Sequence, residues 1–285
     1  VSTLDLEPTD GTAVMDMTDG LRVRLLGVGA LGGTLADLLE AGYIEGCSLA
    51  GTIRSSTPGS AADLLAGTDV LVEAAGAEAA RRWVPQAVAA GVDVVLCSCG
   101  ILADPDFTRT LADGAGSGRV LVPSGAIGGL DLFAAASRGL SALPGDTTVV
   151  LTTTKRPSAL GVETDHPVEV FRGSARTAAM QHPKTANVAV ALALATIGLD
   201  DVTVVMVADP AATRTRHLVT MSSPLGEYEL SVTNTVAPGS GGRTSAVTPW
   251  SVVTLLESLA AGHGAGLLVN PFPDNESRPN GEDRR

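Results

Sequence analysis

Three glycines stand in the run Gly27-Val28-Gly29-Ala30-Leu31-Gly32, between an apolar stretch and a helical pattern. In that setting the first permits a tight turn, the second lets a ligand approach the backbone, and the third lets helix and strand pack closely. The helix that follows offers unpaired N–H groups, those of Ala30 and Leu31 among them, and the positive end of its dipole. The ligand such a loop takes is therefore an anion and, at this spacing, the pyrophosphate of a dinucleotide. A site of this kind normally carries an acid about twenty positions later, bonded to a ribose 2′-hydroxyl. Here Leu49-Ala50-Gly51-Thr52-Ile53 runs instead into Arg54-Ser55-Ser56, one cation and two hydroxyls suited to a 2′-phosphate. The expected cofactor is NADP(H) first and NAD(H) second, although Arg54 also reads as a solvated loop arginine.

The elements that must position this loop are legible as alternating short apolar runs and helical patterns. Strands are expected at 22–26, 48–53, 70–73, 92–97 and 120–122, with a helix after the glycine loop built on Leu31, Leu35, Leu38 and Leu39, and further helices at 78–90 and 105–113. That alternation predicts a parallel sheet with crossover helices, a Rossmann-type domain over residues 21–125. Beyond Pro123 a glycine-rich turn, Gly125-Ala126-Ile127-Gly128-Gly129, leads into a helix at 130–140. Longer alternating strands follow at 147–154, 202–207, 217–223 and 227–235, with an Ala- and Val-rich helix at 185–197. They predict a second α/β domain with a mixed or antiparallel sheet over residues 126–243, and a last helix within 244–265. Residues 1–20 and 266–285 are polar and unpatterned, and read as a disordered leader and tail.

A net charge of -12 disfavours a broad contact with nucleic acid or an anionic membrane, both of which need a basic face. No apolar run has the length of a membrane span, and a cytoplasmic protein is expected. Cys97 and Cys99 lack the second cysteine pair that a zinc site would need, so with Cys47 they read as reduced core residues and no metal is expected.

The chain resembles the L-aspartate dehydrogenase family from the glycine loop to about residue 256. The likeness is carried by Val72-Glu73-Ala74-Ala75, by Ser98-Cys99-Gly100 through Asp104, and by Val122-Pro123-Ser124-Gly125 through Asp131. Further on it is carried by Phe171 to Ala175, His182-Pro183-Lys184-Thr185-Ala186-Asn187, Ala208-Asp209-Pro210 and Arg214-Thr215-Arg216-His217. The resemblance implies interconversion of L-aspartate with iminosuccinate, or with oxaloacetate and ammonia. It also implies a second domain that forms a homodimer and a last helix that returns to the nucleotide domain. Ala74, Ala75, Ser98 and Gly100 would line the cofactor cleft. Ala126, Ile127, Gly128 and Gly129 would approach nicotinamide and substrate, Asn187 would stand beside them, and His217 would be the catalytic residue.

The chemistry asks independently for such a group, because an α-ammonium must lose a proton before hydride leaves Cα and imine hydrolysis needs an acid-base residue. The other histidines, His166, His182 and His263, fall in loops. A dicarboxylate also needs cations, and Lys155, Arg156 and Lys184 are the candidates. Thr185, Thr215 and Gly241-Gly242 depart from the family pattern, where asparagines and an Asn-Pro pair are usual. A divergent member reducing a different imine or carbonyl, or a cofactor-binding regulator, therefore stays open beside the aspartate reading.

Overall fold

The computed structural model describes residues 20–262 apart from 115, 141, 144, 184, 238, 239 and 241–243. The polar leader up to residue 19, Lys184, Gly241-Gly242, His263 and the tail lie outside the described residues.

The first domain opens with β1 (Leu21–Leu26), whose Val23 and Leu25 are fully buried, and passes through the glycine loop into α1 (Ala30–Glu40). There follow β2 (Cys47–Ile53), α2 (Ala61–Leu65), β3 (Val70–Glu73), α3 (Ala77–Ala89) and β4 (Asp93–Leu96). A 3-10 turn, Cys99–Ala103, then leads to α4 (Pro105–Asp113) and β5 (Val120–Leu121). The strands pair in parallel in the order β2-β1-β3-β4-β5, with β1 between β2 and β3 and the order reversing there. That reversal leaves a crevice at the carboxyl ends of β1 and β3, where α/β sheets take their ligands. The helices cover both faces because every residue of β3 is buried and β4 lacks a polar face.

The second domain begins with α5 (Leu130–Gly139) and β6 (Thr148–Lys155), then α6 (Pro157–Leu160), β7 (Val168–Ser174), α7 (Ala175–Gln181) and α8 (Asn187–Ala195). It closes with β8 (Thr203–Ala208), β9 (Thr215–Ser223) and β10 (Gly226–Asn234). The order β10-β9-β6-β8-β7 makes a mixed sheet, antiparallel except where β6 runs beside β8. The expected fold class, a parallel Rossmann-type sheet followed by an α/β domain with a mixed sheet, is the one observed.

One face of this sheet, with Val149, Leu151, Val204, Met206, Val219 and Met221, joins Phe133 of α5 and Val190 and Leu192 of α8 in an apolar core that continues into the first domain. The other face carries Thr152, Leu218, Thr220 and Val205, none of which belongs to that core. Four elements went unread in the sequence, the short helices α2 and α6, the strand β7 and the helix α7. β7 is an edge strand whose only buried residue is Phe171, so its apolar signal is weak, and α7 follows it at once, capped by the Ser174 hydroxyl.

The last helix, α9 (Thr248–Ala261), lies within the expected 244–265 and has Pro249 in its first turn, where the missing N–H costs nothing. Its Val252, Val253, Leu255 and Leu256 pack with Leu35, Leu38 and Leu39 of α1. Burying four such side chains contributes roughly 1.5–3 kcal/mol each, enough to hold a helix that is far from α1 in sequence.

Candidate active site

Gly27 has φ +91, and a Cβ there would stand 2.8 Å from the Ala75 Cα. A Cβ on Gly32 would lie 2.1 Å from the Gly27 carbonyl oxygen, so the third glycine serves the packing of α1 on the loop. Gly29 differs: a Cβ there would meet nothing within 4 Å, and no side chain caps α1. Open space over uncapped helix N–H groups is the cradle a pyrophosphate requires, so these residues fit a dinucleotide.

Gly29, Ala30 and Leu31 form one wall of a wide cleft whose other walls include Ala74, Ala75, Gly76, Ser98, Gly100 and Asn187. The cleft opens into a smaller pocket through residues common to both, Leu31, Cys97, Asn187 and Thr244. In that pocket stand Lys155 and His217, with Ser124, Gly125, Ala126, Thr185 and Ser245 around them. Gly27 and Gly32 back the wall rather than line it, and Ile127 belongs to the apolar core. Gly128 is exposed, and a Cβ on Gly129 would meet Leu230 and Phe133, so neither lines the pocket. Arg54, Ser55 and Ser56 stand exposed after β2, outside both cavities but beside the glycine loop, where Gly27 N–H donates to the Ile53 carbonyl.

Strand alternation separates the two adjacent cations. Lys155 is 5% exposed and turned into the pocket, whereas Arg156 is exposed and starts α6. Among the described residues no carboxylate reaches the Lys155 ammonium, and burial lowers its pKa. His217 is 2% exposed, and its Nδ1 lies 3.0 Å from Thr153 Oγ1. Burial first and the Lys155 charge second bring its pKa down to about 4. The other described histidines are elsewhere: His166 is exposed beside Asp165, and His182 packs edge-on against Phe171.

Asn187 opens α8, and its Oδ1 accepts the Gly100 N–H at 2.9 Å while its backbone carbonyl accepts the Cys99 thiol at 3.2 Å. It thus ties the second domain to the 3-10 turn of the first and keeps its amide nitrogen for a ligand. The glycine-rich turn is held from two sides, by Asn234 Nδ2 donating to the Ala126 carbonyl at 2.6 Å and by Gly125 N–H donating to Ser251 Oγ at 3.1 Å. Thr153, Asn234 and Ser251 were not singled out in the sequence, since each acts through a partner distant in the chain. Thr185 lines the pocket, but its hydroxyl donates to the His182 carbonyl at 3.2 Å, and Thr215 is buried outside the pocket.

The profile of the family described as "Homoserine dehydrogenase, NAD binding domain" matches residues 27–122, and that described as "Aspartate dehydrogenase, C-terminal" matches residues 131–259. An L-aspartate dehydrogenase from Methanothermobacter thermautotrophicus is 40% identical over 201 residues, 70% of this chain and 75% of that protein. An L-aspartate dehydrogenase 2 from Bordetella pertussis is 34% identical over 267 residues, 82% of this chain and 95% of that protein. Among solved structures, the aspartate dehydrogenase of Thermotoga maritima superposes with a TM-score of 0.66 at 25% identity, covering 87% of this chain and 99% of the other.

Proposed function

This chain belongs to the L-aspartate dehydrogenase family, an oxidoreductase family acting on CH–NH2 donors, and from that premise we propose that it interconverts L-aspartate and iminosuccinate, the imine exchanging with oxaloacetate and ammonia. The observation that carries the reading is the pairing of a buried acid-base group, His217, with a buried cation that has no carboxylate partner among the described residues, Lys155, in a pocket that opens from the dinucleotide cleft. When bound, the nicotinamide supplies the acceptor or donor of the Cα hydride. Lys155 pairs with a substrate carboxylate, and the Asn187 amide nitrogen donates to the substrate. His217, with Nδ1 engaged by Thr153, has Nε2 left to take the proton of the α-ammonium, and the protonated imidazole returns it in the reverse direction. Pairing Lys155 with an anion weakens the positive field on His217, so substrate binding itself raises the basicity of the imidazole.

NADP(H) is proposed as the preferred cofactor and NAD(H) as the second, supported by Arg54, Ser55 and Ser56 where an acid would select NAD(H). The protein is proposed to work in the cytoplasm, in keeping with three free cysteines, and as a homodimer through the sheet face of Thr152, Leu218, Thr220 and Val205. Among the described residues no helix is long and apolar enough to cross a membrane. Sedimentation as a monomer would dismiss the dimer.

A second reading has one observation in its favour. Thr185 brings a hydroxyl already committed to the His182 carbonyl, where an asparagine would offer a longer reach and both a donor and an acceptor. A different imine or carbonyl would then be reduced. Nicotinamide absorbance, followed with oxaloacetate plus ammonia against a panel of other keto acids and with both cofactors, separates the two. Turnover of oxaloacetate at a kcat/KM above the rest is expected, and silence with oxaloacetate alongside turnover of another acceptor would replace the aspartate assignment.

A further inference from the structure

Glu73 ends β3, a strand whose other residues are Val70, Leu71 and Val72, and it is 0% exposed. Its carboxylate is met by no cation among the described residues. Oε1 accepts the Ala75 N–H at 2.8 Å, the Gly76 N–H at 2.7 Å and the Ser98 hydroxyl at 3.2 Å, while Oε2 accepts the Ser98 N–H at 2.9 Å. Burial pushes the carboxyl pKa up and these four donors pull it back. Removing a carboxylate from water is expensive, and an apolar residue would complete the strand at less cost. What the carboxylate adds is a link between two loops that the sheet alone leaves unconnected.

Both loops wall the dinucleotide cleft. Ala74, Ala75 and Gly76 follow β3, and Ser98 follows β4. The glycine loop in turn packs on the first of them, since Gly27 has no room for a Cβ against Ala75 and the Ala74 N–H donates to the Leu26 carbonyl at 2.8 Å. Glu73 itself lines neither cavity, so it touches neither substrate nor cofactor. Its effect on Ser98 is directional. An ionised carboxylate only accepts, so the Ser98 hydroxyl proton is turned toward Glu73 and the cleft is offered lone pairs alone.

We propose that Glu73 is a positioning residue for the dinucleotide: it holds the loops after β3 and β4 together and makes Ser98 an obligate hydrogen-bond acceptor, so that the group bound at Ser98 is a donor. This rests on the reading that a nicotinamide dinucleotide occupies the cleft. Two donors of such a ligand fit the requirement, a ribose hydroxyl and the carboxamide NH2 of the nicotinamide. Glu73→Gln keeps the shape but replaces one acceptor oxygen by an NH2 group, which faces a backbone N–H or turns the Ser98 hydroxyl around.

The test is titration of NADPH and NADH by fluorescence, and of the oxidised 3-acetylpyridine analogue by equilibrium dialysis, into the parent, Glu73→Gln, Ser98→Ala and the double variant. Melting temperatures and the KM for L-aspartate are measured alongside. Glu73→Gln is expected to weaken dinucleotide binding about tenfold or more while the KM for L-aspartate at saturating dinucleotide stays within about twofold. Ser98→Ala, which leaves Glu73 in place, is expected to weaken it about threefold to tenfold, and the double variant to lose less than the product of the two. If the carboxamide is the donor, the parent's preference for the natural oxidised dinucleotide over the acetylpyridine analogue disappears in Ser98→Ala. If a ribose hydroxyl is the donor, that preference is unchanged. Dinucleotide affinity within about twofold of the parent in both single variants, whatever their melting temperatures, would overturn the proposal. A parent that binds neither NADPH nor NADH would overturn the cofactor reading and this role with it.

Discussion

Thr153 and His217 stand directly opposite one another on the antiparallel β6–β9 pair, and Thr153 Oγ1 lies 3.0 Å from the imidazole Nδ1. A buried imidazole whose near nitrogen is engaged presents its far nitrogen to the pocket in one orientation. Thr153→Val preserves the shape and removes the bond, so kcat is expected to fall roughly tenfold to a hundredfold with dinucleotide affinity unchanged. Steady-state kinetics at saturating dinucleotide check it, and an undiminished kcat would deny Thr153 this role.

With its pKa down to about 4, His217 stays neutral in the free enzyme from neutrality down to about pH 4, so the acid limb of kcat/KM for amino-acid oxidation should fall well under the ordinary histidine range. Lys155 is the second cause of that depression, and a positive neighbour disfavours protonation. Lys155→Met should therefore move the acid limb to higher pH while lowering kcat/KM through loss of the carboxylate partner. A limb that stayed put, or moved to lower pH, would show that the ammonium does not act on the imidazole.

The same depression has a consequence for stability. Because the folded pKa lies below the unfolded one, the unfolded chain binds more protons between them. The contribution of His217 is fully present above its unfolded pKa and is lost as pH falls through about 4. The total loss is on the order of 3 kcal/mol. His217→Gln should flatten the dependence of Tm on pH across that interval, and melts at about pH 7 and about pH 4.5 would reveal it. Parallel curves for parent and variant would contradict the buried neutral imidazole.

The glycine loop offers a contrast between neighbours. A Cβ at Gly32 meets the Gly27 carbonyl oxygen at 2.1 Å, so Gly32→Ala should cost roughly 2–4 kcal/mol of stability, seen by urea unfolding. A Cβ at Gly29 meets nothing within 4 Å, so Gly29→Ala should melt with the parent yet bind dinucleotide more than about tenfold less tightly. Equal melting temperatures for the two variants would refute this division of labour.

Arg54 carries the expectation about cofactor choice. Arg54→Ala should lower kcat/KM with NADPH about tenfold and leave that with NADH within about twofold. Identical ratios of the two cofactors in variant and parent would remove Arg54 from the account.

How much of this was legible before folding varies with the range of the interaction involved. The glycine loop, its flanking strand and helix and the parallel half of the fold are set by neighbours in the chain, through apolar spacing and backbone freedom, and the sequence determined them alone. It also carried the likeness that brings His217 and Asn187 forward. Edge strand β7 escaped because one buried residue leaves no alternation to read. Tertiary structure decided the rest. Lys155 and Arg156 are adjacent cations of the same sign, and only the side on which the helices cover β6 makes the first a pocket residue and the second a solvated one. Glu73 could have drawn notice as an acid closing an apolar strand, but its purpose lay in Ser98, 25 residues away in the loop after the next strand. Burial and long-range hydrogen bonding are properties of several segments at once, and for that reason the loop proposed to bind the dinucleotide was written locally, while the pocket that would use it exists only when β6, β9 and α8 come together.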